Sequence, residues 1–259
     1  MQTWALRIAV QKRLGLPLLA AAAAAGEARS KSGRVFDAYG DVAQNDGVSG
    51  HQTRHYLILN AIHDAMRRAY GAMAKKEPTN YHDYSDTRPD LTLLVDALKA
   101  YDLKVLCPVG SEAGDVAQRG AFVGFGNTAE EAAELVRGRL QRGEPADGAF
   151  SRISGKGYVA SKDGAYKRAQ ACGVDALELL VETFGGFGAG LVKLLQTAAE
   201  YRDNALTAAE YDETTWAART WLSFVQQRVS VAVHKAVARE VSDALGLSVA
   251  VDPRGAPRE

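Results

Sequence analysis

Two short aliphatic segments that lie close together constrain the fold of this chain more than any other feature. Residues 91–95 read LTLLV and residues 101–109 read YDLKVLCPV, with only DALKA between them. Short runs rich in Leu and Val are typical of buried β-strands, and so short a connection predicts a β-hairpin or two adjacent strands. The run ALELLVETF at 176–184 predicts a further buried strand, so the chain is expected to contain a sheet.

Helical patterns surround these segments. Residues 54–70 show apolar positions at helical spacing, which predicts an amphipathic helix that ends at Gly71. Its apolar face is predicted to hold Leu57, Ile58, Ile62, Ala65, Met66 and Ala69. Further predicted elements are strands at 72–77 and 120–126 and helices at 129–143, 161–173, 191–206 and 214–245. The predicted fold is α/β, a mixed sheet flanked by helices, with a helical C-terminal extension.

We expect three regions along the chain. Residues 1–50 form a helical and loop lead-in, residues 51–190 the core, and residues 191–259 the helical extension. In the lead-in, Lys12 and Arg13 precede an Ala-rich run that imitates a secretory signal. That run is shorter than a membrane span and follows an amphipathic segment, which favours two helical stretches broken near Gly15 and Pro17. We therefore expect no membrane association.

Composition restricts the function only a little. Lys plus Arg and Asp plus Glu both number 31, so any surface that attracts phosphate must be local. The two cysteines, Cys107 and Cys172, show no zinc-ligand spacing and no disulfide framework. A single disulfide bond between them is the alternative. This use of cysteine suits a reducing compartment, and we expect a nuclear or cytoplasmic protein.

The residues that carry chemistry lie on the two aliphatic segments. Asp90 precedes the first, and Asp102 and Lys104 lie two residues apart on the second, so strand alternation places them on one face. If the strands are neighbours, the two carboxylates converge and repel each other unless they are protonated or bridged by a cation. Mg²⁺ would bridge them, and Lys104 could then orient the attacking water. A salt-bridged surface pair is the alternative explanation of the same residues.

A longer ordered series of motifs gives this triad a context. Taken together, it resembles the restriction-like endonuclease domain of non-LTR retrotransposon polyproteins, within the PD-(D/E)xK nuclease superfamily. The resemblance covers residues 34 to 240 and runs through Arg54-His55, Glu77-Pro78, Arg88-Pro89-Asp90-Leu91, Asp102-Leu103-Lys104, Pro108, Tyr166, VETFGGFG at 181–188 and the C-terminal WLSFVQQR.

The resemblance implies a role for several individual residues. Asp90 and Asp102 match the metal-binding acids, for Mg²⁺ or for Mn²⁺ in its place, and Lys104 matches the motif lysine. His55 lies on the first helix, where related resolvase-like nucleases often supply an acidic residue near the metal. A helix-start histidine bonded to a loop is the alternative. Glu77 is expected to be a surface residue at a strand end.

DNA contacts are expected on a basic segment beyond the core strands. Lys162, Tyr166, Lys167 and Arg168 lie beside the position where the resemblance resumes, and we expect them to contact DNA phosphates, with a packed tyrosine as the alternative for Tyr166. Members of the family often carry a zinc knuckle in the stretch before the Arg-His pair. That stretch contains no cysteine in this chain, so no zinc is expected.

The resemblance implies a Mg²⁺-dependent DNA endonuclease, derived from a retrotransposon, that nicks phosphodiester bonds. Its partner would be DNA, and in a full element also a reverse transcriptase or the element RNA. A catalytically inactive nucleic-acid-binding remnant of the same domain is the alternative, and the missing zinc knuckle favours it.

Overall fold

Four strands form one mixed sheet in the order β1-β2-β3-β4. They are β1 (Ala74–Lys76), β2 (Leu91–Leu94), β3 (Leu98–Leu106) and β4 (Asp175–Glu182). Strands β1, β2 and β3 pair antiparallel in sequence order, and β4 joins β3 in parallel. The hairpin predicted at 91–109 is therefore present, and the predicted strands at 72–77 and 176–184 flank it on either side.

The coordinates come from a computed structural model that describes residues 3–31, 33–45, 51–78, 89–95, 97–107, 175–214 and 218–246. The predicted strand at 120–126 and the predicted helices at 129–143 and 161–173 lie outside these ranges. The mixed α/β class is confirmed within them, since helices flank the four-stranded sheet. No helix in this part of the chain has the length and apolarity needed to cross a membrane.

Seven α-helices lie within the described ranges. They are α1 (Thr3–Arg13), α2 (Leu19–Ala24), α3 (Asp41–Asn45), α4 (His51–Tyr70), α5 (Ala189–Tyr201), α6 (Ala208–Glu213) and α7 (Trp221–Ala244). A 3₁₀ turn, Gly71–Met73, follows α4, and Gly71 adopts the left-handed φ of 60° that ends the helix as predicted. The predicted face of α4 is wrong at one position, because Leu57 is exposed whereas Leu59 is buried.

The C-terminal half differs from the prediction in its helix boundaries. Helix α5 ends at Tyr201 because Asp203 and Asn204 adopt left-handed backbone angles, which a continuing helix cannot accommodate. The predicted helix at 214–245 begins only at Trp221, where the Thr220 side chain accepts a hydrogen bond from the Ser223 amide. Between them stands the short, unpredicted helix α6. A further short helix, α3, lies in the lead-in, after the two helical stretches expected there.

One hydrophobic core joins the sheet to the helices. Helix α4 packs against α7, α1 also packs against α7, and α5 packs against β4. The core therefore draws on all three regions expected from the sequence, through residues such as Leu18, Ile58, Leu91, Leu195 and Val229. On β3, Tyr101 and Leu103 belong to this core, so strand alternation turns Asp102 and Lys104 towards the opposite face of the sheet.

Candidate active site

The register of the β2–β3 hairpin brings the two aspartates together. Leu91 pairs with Tyr101, so the register continued by one residue sets Asp90 opposite Asp102. Residues opposite each other on antiparallel strands have Cβ atoms about 5 Å apart. The two carboxyl groups are close enough that each affects the pKa of the other. The convergence expected from the sequence is thus a direct result of strand pairing.

The carboxylate of Asp90 is held by the backbone amide of Leu103 and by the side chain of His55 on α4. Its Oδ2 atom accepts a hydrogen bond from the Leu103 amide at 2.7 Å and lies 3.1 Å from His55 Nε2. Strand β2 begins only after Asp90, so the aspartate side chain takes the place of a strand partner for the Leu103 amide. His55 projects from the second turn of α4. The bonds fix one carboxylate oxygen and direct the group towards Asp102.

Lys104 completes the cluster on the same face of β3. Its Nζ atom lies 2.7 Å from Asp102 Oδ2, and both side chains are largely shielded from solvent. A charged pair in such a position interacts more strongly than an exposed pair, because less water screens it. The structure therefore brings together four residues singled out in the sequence, and we call His55, Asp90, Asp102 and Lys104 the acidic cluster.

The two aspartates differ in their electrostatic state. Burial and the neighbouring Asp90 raise the pKa of Asp102 above its ordinary value, although Lys104 opposes the shift. Burial would also raise the pKa of Asp90, but hydrogen bonds from His55 and the Leu103 amide outweigh it and lower that pKa. The pKa of His55 is raised, because its bond to Asp90 outweighs the effect of burial. Of the two neighbouring carboxyl groups, Asp102 is therefore the one that is harder to ionise.

This donor set fits a hard divalent cation. Two adjacent carboxylates, one of them with a raised pKa, form a site where a bound cation relieves repulsion. Mg²⁺ is commonly held by one or two carboxylates, with water and substrate oxygens as its other ligands. Across the described ranges, no group of three or more His, Cys, Asp and Glu residues is arranged to hold a metal ion. Within these ranges, Asp90 and Asp102 are the carboxylates of the acidic cluster that such an ion would meet.

Glu77 forms part of the rim of this site. Its amide donates to the Asp90 carbonyl at 2.9 Å, and its Oε1 atom accepts from the Tyr56 hydroxyl at 3.2 Å. Its backbone has the left-handed φ of 43°, which is uncommon for a residue with a side chain. Glu77 is therefore more than the surface residue expected from its sequence position, because it fixes the backbone of Asp90. Nothing in the local sequence signals this role.

The sequence-predicted DNA contacts lie elsewhere in the chain. Lys162, Tyr166, Lys167 and Arg168 are outside the described residues, as are Arg88 and Pro108. Arg54 does not face the acidic cluster, because it is buried and bonded to Glu240 of α7, a partner that no local sequence pattern indicates.

Comparison of the chain with family models, with curated proteins and with solved structures gives no match.

Proposed function

We propose that this protein is a Mg²⁺-dependent DNA endonuclease that nicks phosphodiester bonds, with a restriction-endonuclease-like core derived from a retrotransposon. One observation carries the proposal: the acidic cluster joins two carboxylates, a lysine and a histidine at the end of one hairpin. Asp90, Asp102 and Lys104 are the residue types, in the order along the chain, that the sequence resemblance implies for the catalytic centre.

In this proposal Asp90 and Asp102 would hold the metal ion. The ion, when bound, would supply Lewis acidity towards a phosphate oxygen and a water molecule. The Leu103 amide and His55 already fix the Asp90 carboxylate, so this side chain would need little reorganisation when the ion binds. Mn²⁺ could replace Mg²⁺, because both are hard cations that prefer oxygen ligands.

Lys104 and His55 would act around that centre. Lys104 holds a positive charge 2.7 Å from Asp102, where it can stabilise negative charge that develops on the phosphoryl group and orient the attacking water. His55 orients Asp90 by its contact at 3.1 Å, and its protonated form, which the raised pKa favours, would add positive charge beside the carboxylate. Both residues reduce the repulsion that a polyanionic substrate would meet at two aspartates.

The partner in this proposal is DNA, met in the nucleus or the cytoplasm. Because the formal net charge is zero, attraction to DNA would come from local basic residues such as Lys162, Lys167 and Arg168. In a full retrotransposon the nick would serve a reverse transcriptase and its element RNA.

A plasmid-nicking assay tests the proposal. Supercoiled plasmid incubated with the protein and Mg²⁺ or Mn²⁺ should become open circular, and chelation of the metal should stop the reaction. Asp102→Asn should abolish nicking yet bind DNA at least as tightly as the wild type, because a negative charge near the phosphates is removed. Its metal-free stability should rise, since a like-charged pair is relieved.

Asp212→Asn is the matched control, because it removes the same charge from the exposed surface of α6. This variant should nick like the wild type. Equal nicking by Asp102→Asn, or loss of folding and binding together in that variant, would contradict the proposal. Salt-dependent DNA binding by a wild type that never nicks would instead identify the inactive nucleic-acid-binding remnant.

A further inference from the structure

We propose that Glu240 of α7 is a positioning residue for the acidic cluster: through Arg54 it fixes the first turns of α4, and so holds His55 against Asp90. The inference deepens the proposed nuclease function and rests on it for its catalytic consequence. The structural part, the dependence of the His55 position on Glu240, stands on contacts in the protein alone.

A cluster of polar residues joins α3, α4 and α7 at the start of α4. Arg54 Nη1 donates to Glu240 Oε2 at 2.7 Å and to the Gln44 carbonyl of α3 at 3.2 Å. The side chains of Glu240 and Arg54 are 0% and 6% exposed. His51, the first residue of α4, lies 3.3 Å from Glu240 Oε1 and 3.2 Å from Arg54 Nη2. We call these residues the α4 clamp: Gln44, His51, Arg54 and Glu240.

The clamp lies where α4 most needs an external partner. The first four amides of a helix have no acceptor within the helix, and helix ends fray. The first turn of α4 contains no acidic residue to interact favourably with its N-terminal dipole. Glu240 brings a carboxylate to this turn from another helix, through its contacts with His51 and Arg54. It therefore fixes the end of α4 from which His55 projects.

The rotation of that end determines where His55 reaches. Arg54 and His55 are consecutive, so their side chains diverge by about 100° around the helix axis. With Arg54 held against α7, His55 must point towards Asp90. A helix with side chains has a radius of about 5 to 6 Å, so a rotation of about 15° would move the imidazole by about 1.5 Å. Such a shift is enough to break its 3.1 Å contact with Asp90.

Stability alone is a poor explanation for this clamp. A buried ion pair is often no more stabilising than well-packed apolar side chains of similar volume, because both charges lose their hydration. What the pair supplies is a directional contact, which apolar packing does not. The clamp thus couples the C-terminal helix to the acidic cluster without contacting any reacting group.

Nuclear magnetic resonance of the His55 ring tests the structural part. In protein labelled with ¹⁵N-histidine, the signals of His55 are assigned from a His55→Gln variant. Glu240→Gln should shift the His55 ring signals towards those of a solvent-exposed histidine. The control Asp243→Asn removes an equal charge one turn further along α7, where Asp243 is paired only with the exposed Arg239 among the contacts described, and should leave His55 unchanged.

A second control separates positioning from a general loss of stability. Val229→Ala opens a cavity in the buried face of α7, about three turns from Glu240, and lowers stability without touching the clamp. Native His55 signals are expected in this variant. If Val229→Ala moves His55 as far as Glu240→Gln does, or if Glu240→Gln leaves His55 in place, the proposal is overturned.

Nicking kinetics test the catalytic consequence. Glu240→Gln should slow nicking at saturating DNA by about tenfold or more, since a shift of about 1 Å at a catalytic group has effects of that order. The DNA concentration at half-maximal rate should stay within about twofold of the wild type, because Glu240 is buried. An unchanged rate beside a displaced His55 would overturn the positioning role. A wild type that never nicks would refute the nuclease function, while the His55 signals would still decide the structural part.

Should Glu240→Gln fail to fold, the double variant Arg54→Met/Glu240→Met takes its place. It removes both charges at similar volume, so neither is left buried without a partner. A displaced His55 in this folded variant supports the proposal, and a native His55 refutes it.

Discussion

Glu210 offers the sharpest test of how buried polar contacts stabilise this fold. Its carboxylate accepts hydrogen bonds from two Arg202 guanidinium nitrogens, at 2.8 and 3.1 Å, and from the Trp221 ring nitrogen at 3.3 Å. The amide and hydroxyl of Thr207 also donate to it, in the capping box that starts α6. Burial alone would raise the pKa of Glu210, but these partners outweigh it and lower the pKa from 4.5 to about 2.

This shift has a definite sign and size. A group with a depressed pKa in the folded state stabilises the protein above its unfolded pKa, and this stabilisation is lost as the pH falls towards the folded pKa. A difference of about 2.5 pKa units corresponds to about 3 kcal/mol at neutral pH. Between about pH 7 and about pH 3 the carboxylate of Glu210 should lose about 2 kcal/mol of this contribution.

Urea unfolding followed by circular dichroism, near both pH values, measures the effect. Glu210→Gln should be less stable than the wild type at pH 7, and the gap should narrow by about 2 kcal/mol near pH 3. Glu213→Gln is the control, since Glu213 belongs to the same helix but its ion pair with Arg228 is exposed and should contribute about 1 kcal/mol or less. Parallel pH curves for Glu210→Gln and the wild type would refute the reasoning.

Two other predictions follow from charged side chains. Lys12 lies 2.6 Å from Asp41 with both side chains buried, so Lys12→Met should destabilise the protein by about 3 to 5 kcal/mol in urea unfolding. The double variant Lys12→Met/Asp41→Leu should recover most of the lost stability. If it does not, the unpaired carboxylate of Asp41 is not the cause of the destabilisation. Replacing Lys162, Lys167 and Arg168 by Ala should weaken binding to two unrelated duplexes equally and flatten the dependence of affinity on salt. An unchanged salt dependence would place the DNA elsewhere.

Local patterns in the sequence predicted much of the sheet and of the acidic cluster. The hairpin followed from the two aliphatic runs, and its register alone sets Asp90 opposite Asp102. The Thr207–Glu210 spacing is a recognisable start signal for α6 that the broader apolar pattern obscured. This capping box predicts a helix that begins at Ala208, in the stretch between the two helices predicted from apolar spacing.

Contacts between distant residues could not be predicted in this way. The Arg54–Glu240 pair spans 186 positions, and nothing near either residue indicates its partner. The Glu77–Asp90 backbone contact depends on an unusual left-handed φ, which the residue type does not favour. Pairings of this kind arise only from the assembled core, because they depend on how α4, α7 and the sheet pack.

The packing of α7 across both α1 and α4 has a consequence for the order in which the protein matures. Helices α1 and α4 leave the ribosome well before α7, so the parts of their apolar faces that pack against α7 stay uncovered until α7 emerges. These contacts are remote in sequence, and such contacts form slowly. Under the role proposed for Glu240, His55 reaches its working position at that same late moment. If the proposed nuclease function holds, a nascent chain would therefore leave DNA uncut until α7 has emerged.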